Sequence, residues 1–260
     1  MDGVVNLQFI QMLMAYVFVV ILLAIVKVKG INREKEILLA TFRMTIQLVI
    51  TGYVLVYLFN NVNIVYTMVV IAFMEAFAIF NTFKRLKIRT SKNMKRVITI
   101  AMIFGTISSL LFFIIAVIQI RPWYDPRYFI SIAGMILGNS LTGLCLAITR
   151  LTSGMNLERD SIECSLMLGA TSKMACKHIV NDAFDSAILP TVNSMLGMGI
   201  VFLPGMMTGQ ILSGTSPVTA IKYQIAIMLA VLGSVTLTTI IAVQLGYKTF
   251  FNEDEQLNIE

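Results

Sequence analysis

Charge is what this sequence has least of. Only 13% of its 260 residues are Asp, Glu, Lys or Arg, about half the share found in soluble domains. That shortage excludes an ordinary soluble fold, because the 57% of residues that are apolar fall in long runs suited to hydrocarbon. Histidine occurs once, at His178. The three cysteines, Cys145, Cys164 and Cys176, are odd in number and form no C-x-x-C pair. A disulfide framework or zinc site is not expected from them, and they read as small reduced apolar residues. No phosphate-binding loop is present: "GATSKMACK" lacks the second glycine. H-E-x-x-H and G-x-S-x-G are absent too, so nothing points to an enzyme. The net charge of +6 then reports membrane topology rather than a nucleic-acid surface.

What is there is a set of seven apolar runs, each near the ~20 residues that cross a bilayer. They cover about 8–27, 37–59, 64–83, 97–120, 128–150, 187–206 and 219–247. The fold class expected is an all-α integral membrane protein, a single transmembrane domain over 1–260. The first run follows "MDGVVNLQ", which has no basic region, so it reads as a transmembrane helix and not a signal peptide. Loop 28–36 carries Lys29, Arg33 and Lys35, and loop 84–96 carries Lys84, Arg85, Lys87, Arg89, Lys92, Lys95 and Arg96. Of the alternate loops, 60–63 and 207–218 have no charge and 121–127, "RPWYDPR", has Arg121, Asp125 and Arg127. Positive charge marks the cytoplasmic side, which puts the N-terminus outside and the C-terminus in the cytoplasm. The basic loop reads first as a topology anchor and second as a surface for anionic lipid or a partner.

The longest polar loop, 151–186, patterns as two short helices joined at Gly169. The first runs over about 157–168, with Ile162, Leu166 and Gly169 on one stripe. Gly169 closes it, and Thr171 or Ser172 caps the second. The Glu-to-Gly spacing in "ECSLMLGA" resembles the EAA loop of ABC transporter permeases. The segments "FRMTIQLVITGYVLVYLF", "IAGMILGNS", "LGAT", "LPTVNSM" and "LPGMMTGQILSGTSPVTAIKYQI" together resemble the FetB-type permeases, from about residue 37 to 247. These are membrane subunits of a small ABC transporter family linked to iron export and metal resistance. The resemblance implies two copies of the permease and a separate cytoplasmic ATPase, which binds ATP and Mg; this chain itself would bind no cofactor. It also implies that Glu163, Leu168, Gly169, Ala170 and Thr171 couple to the ATPase. The family's I-x-L-P ending would be expected sooner than Ile188–Pro190, where "ILP" stands here.

Polar residues inside the spans are the pathway candidates. Arg43, Gln47 and Thr51 share one face of the second span. Glu75 sits mid-way in the third at nearly the depth of Arg43, so the two are expected to pair or share a cavity. In span five, Gly134 and Gly138 allow close packing, and Asn139 can bond across it. At the end of span six, Pro204, Gly205 and Gly209 mark a kinked helix end or an outer gate, with Gln210 facing the exit. Met206 and Met207 are weak candidates for a metal, since thioethers suit soft ions and Fe(II) prefers imidazole and carboxylate. The leading reading is export of a metal ion or complex. A proton-coupled carrier using Glu75 and an ABC permease for a non-metal substrate such as a nucleotide sugar stand as alternatives.

Overall fold

The computed structural model describes residues 8–86, 91–252 and 254–258. Lys87 and Arg89 of the basic loop, and residues 1–7 ahead of the first span, lie outside the described residues. All regular structure described is helical: α1 (Phe9–Ala15), α2 (Val17–Val28), α3 (Glu34–Asn60), α4 (Ile64–Arg85), α5 (Lys92–Phe112) running into a π-helical end (Phe113–Ile118), α6 (Pro126–Leu157), α7 (Arg159–Met167), α8 (Ser172–Ala175), α9 (Lys177–Gly197), α10 (Gly205–Leu212) and α11 (Pro217–Gly246). A short 3-10 turn, Tyr247–Phe250, follows α11.

Helix starts follow local chemistry. Asn63, Ser91, Asp125 and Ser216 each accept a hydrogen bond from a backbone N–H in the first turn that follows. Pro126 and Pro217 occupy first helical positions, where their missing N–H costs nothing.

Among the described residues six stretches are long and apolar enough to cross a membrane: Phe9–Val28, Glu34–Asn60, Ile64–Arg85, Lys92–Ile118, Pro126–Leu157 and Pro217–Phe250. The predicted sixth span, 187–206, is not one helix. Instead α9 starts at Lys177, runs unbroken to Gly197, and gives way to an irregular 198–204 before α10. Two residues explain the break. Gly199 takes φ +84°, a left-handed conformation that ends a helix, and Pro204 lacks the N–H needed to continue one.

The core lies among α5, α6, α9 and α11, with α4 against α6. It is knit by close approaches at glycine. A Cβ at Gly105 would fall 2.2 Å from Thr238 Oγ1, one at Gly143 2.8 Å from Val235, and one at Gly154 2.5 Å from Ile179. The predicted pair behaves differently. Gly134 faces Met74 at ordinary distance, whereas Gly138 has no neighbour within 4 Å, so the tight contacts of α6 fall further along, at Gly143 and Gly154.

One end of the bundle gathers the loop 158–176, the C-terminal segment and the start of α5. Gly246 lies against Leu151 and Met94. The backbone N–H of Ser172 donates to Glu255 Oε2 at 3.2 Å.

Candidate functional site: a polar face on the α6–α9 hairpin

Helices α6 and α9 are antiparallel and joined through α7 and α8, and their register is fixed by contacts. Arg150 Nη2 donates to Asp182 Oδ2 at 2.7 Å, with both side chains about half exposed (46% and 50%). Gly154 meets Ile179 and Gly143 meets the backbone of Ala187. Asn139 precedes Arg150 by eleven residues, and Asn193 follows Asp182 by eleven. Eleven residues are close to three whole turns, so each asparagine stands on the same stripe as its member of the ion pair. Both therefore sit ~16 Å along the hairpin from that pair.

Thr142 and Asn139 on α6, and Asn193 and Ser194 on α9, are exposed. Asn139 and Ser194 each bond back to their own helix, at Met135 O (2.8 Å) and Pro190 O (2.9 Å). Pro190 lies inside α9 and removes the N–H that would meet the carbonyl of Ser186 on the same side. An exposed polar stripe at this depth must face protein or water, not lipid tails. Asn139 was legible in the sequence. Asn193 was missed, although it lies in the quoted "LPTVNSM" block, because its face appears only once α9 is known to run continuously from Lys177.

The tip of the hairpin is built as its sequence predicts. Gly169, at φ +89°, closes α7 with a paired C-terminal turn: its N–H donates to Leu166 O at 2.9 Å and that of Ala170 to Ser165 O at 3.0 Å. Thr171 Oγ1 accepts from the N–H of Met174. The expected second helix is only α8, which passes through Cys176 into α9. Ile162 turns inward, while Met167 and Leu168 at the tip are 87% and 84% exposed. Glu163 accepts from Arg159 Nε at 2.8 Å, and this contact holds the guanidinium above its ordinary pKa. His178 hydrogen-bonds Glu158. Burial, helped by the charge of Glu158, pushes the Cys176 thiol up to about 11.

The other pathway candidates are scattered. Arg43 and Gln47 are exposed on α3, and the Arg43 guanidinium lies 5.5 Å from the centre of the Phe77 ring. Glu75 is buried and accepts from Thr106 Oγ1 at 2.9 Å, while its Oε1 meets no partner. The expected Arg43–Glu75 pairing is thus replaced by other contacts. Glu75 and Phe77 are two residues apart, about 200° around α4, so Arg43 on Phe77 is on the opposite side from Glu75.

At the far end, Pro204 caps α10 without a side-chain bond, and Cβ atoms at Gly205 and Gly209 would meet nothing within 4 Å. The close backbone approach expected there is absent within this chain. Gln210 is half-buried with Oε1 unpartnered, and Met207 is buried. Gln224 Nε2 reaches Met198 S at 3.9 Å, tying α11 to the break. Among the described residues no cluster of three His, Cys, Asp or Glu side chains stands ready to hold a metal.

Relatives place this architecture. The family described as "Uncharacterised protein family (UPF0014)" matches residues 9–251. The chain is similar to the "Probable iron export permease protein FetB" of Escherichia coli, 35% identical over 94% of this chain and 92% of that one. It is similar to the UPF0014 membrane protein YjkA of Bacillus subtilis, 32% identical over 96% and 98%. It also resembles the protein ALUMINUM SENSITIVE 3 of Arabidopsis thaliana, 31% identical over 94% and 88%. No solved structure matches the chain. With its long apolar helices it is a multi-pass membrane protein, and it belongs to the UPF0014 family of membrane proteins.

Proposed function

We propose that this chain is the membrane subunit of an ATP-binding cassette transporter that moves a metal ion or metal complex out of the cell. A separate cytoplasmic ATPase would bind ATP and Mg, and two copies of the permease would enclose the path. One observation carries the reading: the exposed tip at Met167–Leu168 and the polar stripe through Asn139 and Asn193 belong to one hairpin, pinned by the Arg150–Asp182 pair and the close contacts at Gly143 and Gly154. Force applied at the tip then moves the stripe and the break at 198–204 together. Glu163 and Gly169–Thr171 shape the tip, Met167 and Leu168 fill a groove on the ATPase, and the second copy covers the stripe. Arg43, Gln47 and Gln210 are flanking polar groups of the path, and Pro204–Gly209 is its outer gate. The substrate class rests on the similarity to the probable iron export permease of Escherichia coli.

In this reading the basic loops and the hairpin tip are cytoplasmic. A membrane-impermeant maleimide therefore labels exposed Cys164 only from the cytosolic side, while buried Cys176, with its raised thiol pKa, stays silent. Labelling of Cys164 from outside overturns the orientation. The function is tested by reconstituting the permease with its cognate ATPase and following ATP-dependent uptake of a metal panel into inverted vesicles. Stimulated ATPase activity and metal uptake support it. Failure to co-purify with any ATPase subunit, or uptake that ignores ATP and collapses with the proton gradient, defeats it.

A further inference from the structure

Away from the polar stripe, α5 and α11 leave an open trough of about 870 Å³. Its walls are apolar, with Phe112 on α5 and Ile225, Leu229 and Leu237 on α11. Two serines reach it, but their hydroxyls are turned back on their own helix. Ser108 donates to the carbonyl of Phe104, and Ser109 to that of Gly105 at 2.7 Å. The trough thus offers hydrocarbon walls with no free hydroxyl donor. Residues on this side of α11 alternate with the buried row Gln224, Ile227, Val231, Ser234 and Thr238, so the trough looks outward from the core.

One charge stands at its end. Lys222 lines the trough, is exposed, and is the single charged residue of α11. It has no ion-pair partner among the described residues. It lies five residues inside the helix start at Pro217. Tyr57 and Tyr66 flank the α3–α4 turn, and Trp123 and Tyr124 lie between α5 and α6, all at this same end of the bundle. Such aromatics sit at the headgroup level. A lysine one to two turns below that level snorkels up to it along its apolar stem. From Lys222 to Leu237 the trough follows fifteen residues of α11, about 22 Å. That spans the ~15 Å of hydrocarbon in one leaflet.

We propose that the α5–α11 trough is a lipid site: it seats one acyl chain of an anionic phospholipid whose phosphate group rests on Lys222. The tail matches the apolar walls and their length. The headgroup supplies the countercharge that Lys222 lacks, and an ammonium at the hydrocarbon edge attracts a net-negative headgroup more than a zwitterionic one. A second copy of the chain packed into the trough would bury that ammonium without a partner, which is costly.

The test is independent of transport. The protein is reconstituted in phosphatidylcholine bilayers containing a minority of phosphatidylglycerol, extracted gently, and its retained lipids are counted by native mass spectrometry. Retained lipid should be enriched in phosphatidylglycerol at least fivefold over the bulk. Lys222→Gln should bring that enrichment to near one, and Lys222→Arg should restore it. Gly233→Phe, which fills open space in the trough, should reduce retention of both lipids. Thermal unfolding of each variant confirms that it is folded. Equal enrichment in wild type and Lys222→Gln overturns the proposal. So does efficient crosslinking of Gly233→Cys between two copies, which would put protein where the lipid belongs.

Discussion

The first two spans, α1–α2 and α3, are as apolar in sequence as the spans that follow and differ sharply from them in how they pack. Across α1, α2 and α3 only Val26 and Leu58 are buried. In α6 alone sixteen residues are buried, enough to make it the axis of the bundle. The first layer touches the rest lightly: Arg43 lies over the ring of Phe77 on α4, and Arg127 of α6 lies near the ring of Phe59, while Tyr16 bonds Thr45 at 2.6 Å within the layer. In lipid, apolar side chains need no burial, so hydrophobicity drives insertion but does not choose helix partners. The difference comes from small residues. The core has glycines where a neighbour intrudes, whereas Gly52 in α3 and Gly30 in the α2–α3 turn have nothing within 4 Å.

The sharpest way to break this contrast is at Gly105. A Cβ there would come within 2.8 Å of the Thr238 backbone as well as its hydroxyl. Gly105→Val should destabilise by about 3 kcal/mol, so that little folded protein survives extraction. Gly52→Ala in the outer layer should be neutral or slightly stabilising, because open space costs nothing and alanine favours helix. Thermal unfolding of both in detergent reads the difference. Similar losses for the two would erase the distinction between layer and core.

The next test separates folding from function on the hairpin. Asn139→Leu with Asn193→Leu changes exposed groups only, so stability should move by no more than about 0.5 kcal/mol. Transport should fall at least about tenfold, a loss of about 1.4 kcal/mol in coupling or path. Full transport in the double variant would leave the stripe as ordinary surface.

At the tip, Gly169→Ala places a side chain at φ +89°. The strain is about 1 kcal/mol, confined to the turn between α7 and α8. Binding of the ATPase should weaken and its stimulation drop, with little change in global unfolding. This turn is also where sequence reading succeeded best. The C-terminal glycine, the Thr171 cap and the inward Ile162 all follow from residue chemistry within a few positions, and the structure has them. The spans were legible for a similar reason, since length and hydropathy suffice. What was not legible depends on which way a helix faces. Arg43 and Glu75 share depth, but Phe77 turns them to opposite sides of α4. Gly134 and Gly138 carry the packing spacing, yet Gly143 makes the contact. The sixth span was placed at 187–206 by its apolar run, while the helix itself starts ten residues earlier in polar sequence and stops at Gly197. Periodicity gives faces up to a rotation, and only tertiary contacts fix that rotation.

The smallest effect belongs to the outer layer's own internal bond. Tyr16 sits at the junction of α1 and α2, and its hydroxyl meets Thr45 Oγ1 on α3. Thr45 also donates to Thr41 O at 3.0 Å, leaving it able to accept from tyrosine. Tyr16→Phe removes that hydrogen bond and little else, and interhelical hydrogen bonds in membranes average about 0.6 kcal/mol. Because the layer is joined so lightly to the core, this loss should not lower the main unfolding transition. It should instead speed hydrogen exchange or proteolysis within α1–α3 by about threefold, as local opening without global opening requires. A matching drop in the main transition would show the layer and the core unfolding as one unit.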